Sequence, residues 1–184
     1  MISKFMLDPV ANTIAVIVLL GMIASLLTVT VHYIRGTAPK TSWPAWMIPL
    51  LAIVGLGVAT YMVYIETTKV EAVCGPIGDC NSVQQSPYAT LFGFLPVGVL
   101  GVLGYSAILV LWLIQRFGPQ SIQKTVGLLT WAMTGFGLLF SIYLTFLEPF
   151  VIGATCVWCI SSALIMMLLF WAASAPVLKG LQED

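Results

Sequence analysis

Four cysteines in two close pairs are the residues of this 184-residue sequence that can do chemistry. Cys74 and Cys80 bracket C-G-P-I-G-D-C, and Cys156 and Cys159 form C-V-W-C. Thiols three apart on a helix are neighbours on one face. If a helix starts at C-V-W-C, its unpaired N–H groups and dipole favour an anion there, which lowers the pKa of Cys156 below that of a free thiol. The glycines and proline between Cys74 and Cys80 predict a loop that turns tightly and swings. The simplest chemistry is a relay in which the loop pair collects electrons and passes them to the second pair by thiol–disulfide exchange. Two static disulfides and a Cys₄ zinc site would use the same residues. A bridge across six residues gains little stability, and a mobile loop suits a rigid tetrahedral site poorly.

The elements that must position these pairs follow from the composition. Only 8% of the chain is Asp, Glu, Lys or Arg, 60% is hydrophobic, and the mean hydropathy is +1.04. Soluble domains carry roughly a quarter charged residues, so a soluble enzyme is excluded, and disorder is excluded by the same numbers. A net charge of zero with no basic patch argues against nucleic acid as a partner. A membrane span needs roughly 20 apolar residues. Five uncharged stretches supply them, between Asp8 and Arg35, Lys40 and Glu66, Asp79 and Arg116, Lys124 and Glu148, and Glu148 and Lys179. In the third the span is expected to begin at Leu91, and the segment from Glu148 to Thr155 reads as a loop. The fold class is therefore an all-α integral membrane protein of five transmembrane helices.

Lys and Arg set the orientation. With the loop between the first two spans inside, Arg35, Lys40, Arg116, Lys124 and Lys179 are cytoplasmic, and only Lys4 and Lys69 are outside. The positive-inside rule then predicts an outer N-terminus and an inner C-terminus. Both cysteine pairs consequently lie on the extracytoplasmic, oxidising face, where disulfides form and persist. Trp43, Trp46, Trp112, Trp131 and Trp171 fall near expected span ends and read as interfacial anchors. No carboxylate falls within an expected span, which disfavours a proton-coupled transporter and leaves sulfur as the evident reactive group. His32 reads as a boundary residue at the inner end of the first span.

The order of these features across four helices resembles the vitamin K epoxide reductase family, and within it the bacterial members that oxidise protein thiols. The resemblance covers about residues 45–175. It rests on Cys74 and Cys80, on the continuation C-x-x-V-x-x-S through Val83 and Ser86, and on Leu91-Phe92-Gly93 with Pro96, Gly101 and Tyr105. Ser141-Ile142-Tyr143-Leu144 and the final C-V-W-C complete it. The resemblance implies a four-helix catalytic bundle over 45–178. An extra N-terminal helix and cytoplasmic loop (1–44) precede it and a short cytoplasmic tail (179–184) follows. It also implies that Cys74 exchanges with a protein partner, that Cys80 links transiently to Cys156, and that Cys159 reduces a quinone, ubiquinone or menaquinone, held near Ser86 and Phe92.

With no thioredoxin-like segment after Lys179, the expected thiol donor is a separate thioredoxin-fold protein with a C-x-x-C motif. The expected location is a bacterial inner membrane, in contact with lipid and, through the first helix, with other membrane subunits. Ala89 and Ala163 stand where vertebrate relatives carry Asn and Tyr, which speaks against epoxide reduction. A competing reading is a non-catalytic subunit of a larger complex with two static disulfides.

Overall fold

The structure, a computed structural model, describes residues 2–39, 43–75, 77–91 and 93–181. A short helix α1 (Ile2–Phe5) leads into α2 (Pro9–Ile34), the first of five helices among the described residues that are long and apolar enough to cross a membrane. Asp8 caps α2 by accepting from the Ala11 N–H at 3.1 Å, and Pro9 occupies the first helical position, where its missing N–H costs nothing. The second span is α3 (Met47–Thr68). After it the chain turns at Lys69 and runs to a short helix α4 (Cys80–Gln84) and a 3₁₀ turn (Pro87–Ala89).

The remaining spans are α5 (Val97–Phe117), α6 (Gln120–Leu147) and α7 (Val157–Gly180). A two-residue ladder, β1 (Thr90–Leu91) with β2 (Leu95–Pro96), precedes α5. The helix expected from Leu91 therefore starts at Val97, because Pro96 has no N–H and holds an extended ψ of 137°. The segment expected as a loop after Glu148 also differs. A π-helical turn (Glu148–Ile152) prolongs α6, and Gly153, with φ of 86°, ends it. At its C-terminal end α7 continues past Lys179 to Gly180, so the expected tail starts inside a helix.

α3 packs against α5 and α7, and α6 packs against α5 and α7, which closes a four-helix ring. α2 lies against α6 and α7. Large apolar side chains such as Ile17, Ile53 and Leu139 point away from the bundle, as lipid-facing helices require. Gly55 of α3 lets the Tyr105 ring lie directly on the backbone, whereas Gly57 and Gly104 face open space. Trp131 departs from the anchoring role expected of it. α6 begins at Gln120, so Trp131 sits about three turns inside the helix; it stacks near Phe170 and donates to Ser174 Oγ at 3.0 Å.

One end of the bundle gathers the start of α2, the end of α3, the π turn and the start of α7, together with both cysteine pairs. Arg35, Arg116, Lys124 and Lys179 fall at the opposite ends of their helices.

Candidate active site

All four cysteines belong to one apolar cluster. Cys80 and Cys156 are completely buried beside Met62, Ile65, Ala72, Val83 and Ala154, with Cys74, Cys159, Tyr61 and Trp158 packed on its edge. Cys74 and Cys80 form a disulfide, and Cys156 and Cys159 are thiols. Burial separates the members of each pair. Cys74 and Cys159 are partly accessible, while their partners are sealed.

The loop carrying the first pair is held at many points, contrary to the swinging loop read from its glycines. Asp79 caps α4 through the Ser82 N–H at 3.0 Å and accepts from the Ser82 hydroxyl as well. Ser82 thereby holds the Asp79 carboxyl below the usual carboxylate range. Ala72 N–H donates to Asn81 Oδ1 at 2.8 Å, and Val73 N–H to the Tyr61 hydroxyl at 3.1 Å. Trp158, the residue between the second pair, donates from its indole to the Val73 carbonyl at 3.0 Å. Its ring leans on Tyr61 with centroids 4.6 Å apart. C-V-W-C thus supports the first loop as well as carrying the second pair.

Cys156 is the N-cap of α7, as its place in the sequence implied. Its thiol lies below the usual range, first because the Cys159 thiol hydrogen-bonds to its sulfur. Burial opposes that effect, and the N–H groups of Cys159 and Trp158 add to it. The helix terminus lowers the thiol in the expected direction, but the partner thiol is the larger cause.

The expectation that no carboxylate lies within a span is overturned twice. Glu66 is in the last turn of α3, where its Oε2 accepts from the Gly98 N–H at 3.2 Å. Glu148 begins the π turn and is 2% exposed; its Oε2 accepts from the Cys156 N–H at 3.1 Å. Its carboxyl also interacts with the Cys159 side chain. Each acid meets the N-terminal N–H groups of another helix, which lack partners within that helix and attract negative charge. That local satisfaction is what allows an acid at a depth where it would otherwise be costly.

Cys159, Glu66 and Glu148 all line an open cavity of about 630 Å³ between α3, α5, α6 and α7. Ser86 is in its wall, with its hydroxyl donating to the Val83 carbonyl at 2.7 Å. Ala89 and Ala163 also line it. Phe92, expected beside Ser86, lies outside the described residues. Gln84 Nε2 contacts Met62 Sδ at 2.8 Å, and Gln84 Oε1 is buried without a hydrogen-bond partner among the described residues.

Residues 46–174 match the model of the vitamin K epoxide reductase family. The chain belongs to that family. It is 30% identical over 130 residues to Thiol-disulfide oxidoreductase LTO1 of Arabidopsis thaliana, a match that covers 67% of this chain and 34% of that protein. The chain thus spans about a third of the length of this curated relative. Five candidate spans and membership of the vitamin K epoxide reductase family make it a multi-pass membrane protein. Glu148 and Glu66 are the site residues that sequence reasoning passed over. Their signal was an acid next to, rather than inside, an apolar run.

Proposed function

We propose that this chain oxidises protein dithiols and passes the electrons to a quinone, through Cys74 and Cys80 and then Cys156 and Cys159. The observation that carries the reading is that Cys159 opens into an apolar cavity while its partner Cys156 shares a buried cluster with Cys80. A largely apolar pocket of this size with a few convergent polar groups is what a lipid-soluble ring requires. The unpartnered Gln84 Oε1 supplies an acceptor to which a quinol hydroxyl can donate.

The partial exposure of Cys74 makes it the entry point. A donor thiolate attacks Cys74 Sγ and releases Cys80 as a thiolate; the donor's second thiol then displaces Cys74, leaving a donor disulfide and two thiols here. Cys80 next attacks Cys156 of an oxidised C-V-W-C, releasing Cys159 as a thiolate. Cys74 closes on Cys80 and releases Cys156. Two electrons and two protons have then moved to the second pair.

The quinone supplies the final two-electron acceptor, and Cys156 and Cys159 return to the disulfide as it becomes quinol. Re-forming that disulfide gives up two electrons and two thiol protons, the two of each that quinol formation needs, and Glu148, in contact with both Cys156 and Cys159, takes each thiol proton in turn and returns it toward the acceptor.

In this reading residues 45–178 are the catalytic bundle, with 1–44 and 179–184 flanking it. The donor is a thioredoxin-fold protein with a C-x-x-C motif. The cysteine end faces the extracytoplasmic side of a bacterial inner membrane, with the arginine and lysine end in the cytoplasm. The test is purified full-length protein with a reduced thioredoxin-fold donor and either ubiquinone or menaquinone. Quinol should form in step with donor disulfide, and Cys159→Ser should abolish it. Donor oxidation with no quinol, or quinol formation that survives Cys159→Ser, refutes the reading.

A further inference from the structure

α2 lies outside the 46–174 family match, yet its first turns bond to the segments that carry both cysteine pairs. Asp8 uses its two oxygens for different ends. Oδ1 caps α2 itself, and Oδ2 accepts from the Gly78 N–H at 3.1 Å, two residues before Cys80. Asn12, one turn further, is completely buried. Its Oδ1 accepts from the Thr155 hydroxyl at 2.9 Å, and its Nδ2 donates to the carbonyls of Phe5 at 2.9 Å and Gly153 at 3.4 Å.

Thr155, immediately before Cys156, in turn accepts on its carbonyl from the Asp79 N–H at 3.0 Å, immediately before Cys80. The approach is close enough that a Cβ on Gly78, which has φ of 90°, would overlap the Thr155 carbonyl. A completely buried amide in an apolar helix end is unfavourable unless its donors and acceptor are paired. Here every bond it makes outside α1 and α2 goes to the segment leading into Cys156.

We propose that α2 is the arm that holds the Cys74–Cys80 loop over Cys156, with Asp8 and Asn12 as positioning residues for the Cys80–Cys156 exchange. The inference rests on electrons passing between the two pairs. In that step the Cys80 thiolate attacks Cys156 Sγ, the Cys80–Cys156 bond forms and the Cys156–Cys159 bond breaks; Cys74 then attacks Cys80, re-forming Cys74–Cys80 and releasing Cys156. The attacking sulfur must lie in line with the bond it breaks, and misplacement by about 1 Å can cost roughly 100-fold in rate.

Fully reduced full-length protein carries two electron pairs and can form two quinols per chain. The first comes from Cys156 and Cys159 directly. The second requires the exchange with Cys74 and Cys80. Rapid mixing with ubiquinone should therefore resolve two phases. Asn12→Ala and Asp8→Ala should keep the first phase and slow the second about 10- to 100-fold, and Asp8→Asn, which retains an acceptor for Gly78, should recover most of that rate. An unchanged second phase in both alanine variants overturns the inference, and so does an equal slowing of both phases, which indicates general loosening.

If the unsubstituted protein forms no quinol, the acceptor reading fails. The role of α2 is then decided in the Cys74→Ser/Cys159→Ser background. Oxidation there should trap a Cys80–Cys156 bridge, and Asn12→Ala should reduce its yield at least tenfold. An undiminished yield, or no bridge even with Asn12 present, overturns the inference.

Discussion

The backbone amide of Asp79 donates to the backbone carbonyl of Thr155 at 3.0 Å, so the residue before Cys80 is hydrogen-bonded to the residue before Cys156. The bond ties a short helix cap to the start of a membrane span, and each of those residues leads directly into a completely buried cysteine. The four cysteines are thereby graded in access, in the order the proposed relay uses them. Cys74 is reachable, Cys80 and Cys156 are sealed from water, and Cys159 opens on the cavity. Sealing the middle pair keeps adventitious thiols from the proposed exchange.

Cys74 should react with soluble thiol reagents far faster than Cys80. In reduced Cys80→Ser protein, a bulky maleimide should label Cys74 at least tenfold faster than it labels Cys80 in reduced Cys74→Ser protein. Comparable labelling of the two would mean that Cys80 is not sealed and that the donor has no preferred point of entry.

Glu148→Gln should separate proton movement from structure. The amide keeps an oxygen for the Cys156 N–H, so the start of α7 is retained, but it cannot carry a proton. Positioned acid–base groups contribute roughly 10²- to 10⁴-fold. Quinol formation should fall by at least about 100-fold while exchange between the cysteine pairs proceeds at its normal rate. Rapid-mixing measurements of the two steps check this, and a normal quinol rate in Glu148→Gln removes the residue from the chemistry.

Much of this could be read from the sequence because a bilayer imposes simple conditions. Long uncharged runs must be helices, and the Lys and Arg pattern by itself puts both cysteine pairs at one end of the bundle. What escaped was set by single residues whose effect depends on tertiary partners. Pro96 and the ladder at Thr90–Pro96 delayed α5 to Val97, and a π turn absorbed Glu148, which as a charged residue had marked the edge of a span. The Gly-rich loop looked free because Asp8, Thr155, Tyr61 and Trp158, which hold it, are remote in sequence. Asn12 was one polar residue in an apolar run, and nothing local reveals that it pairs with Thr155, 143 residues away.

Filling the cavity should act on the quinone and leave the thiol steps alone. Ala163 is buried in α7 and lines the cavity with Cys159. A larger side chain there must occupy the cavity or strain the bundle, at a cost of about 1–3 kcal/mol. Ala163→Phe should raise the KM for quinone at least about tenfold, with donor reduction of Cys74–Cys80 unchanged. Steady-state titration with quinone checks it, and an unaltered KM would place the quinone elsewhere.

Acid should loosen the cap beneath Cys80. The Ser82 hydrogen bonds hold the Asp79 carboxyl below its ordinary value of 3.8 in the folded protein. A depressed acid contributes stability that is fully present above its unfolded pKa and disappears as the pH falls through the folded one. Protection of the Ser82 amide against hydrogen exchange, corrected for intrinsic rates, should therefore hold down to about pH 4 and be lost below it. Asp79→Ala should lack that protection at every pH. Losing an N-cap costs roughly 0.5–2 kcal/mol, which corresponds to about 2- to 30-fold faster exchange over 80–86 at neutral pH. If the wild-type protein and Asp79→Ala exchange equally at pH 7, the cap does not hold α4, and the burial of Cys80 must rest on its apolar neighbours alone.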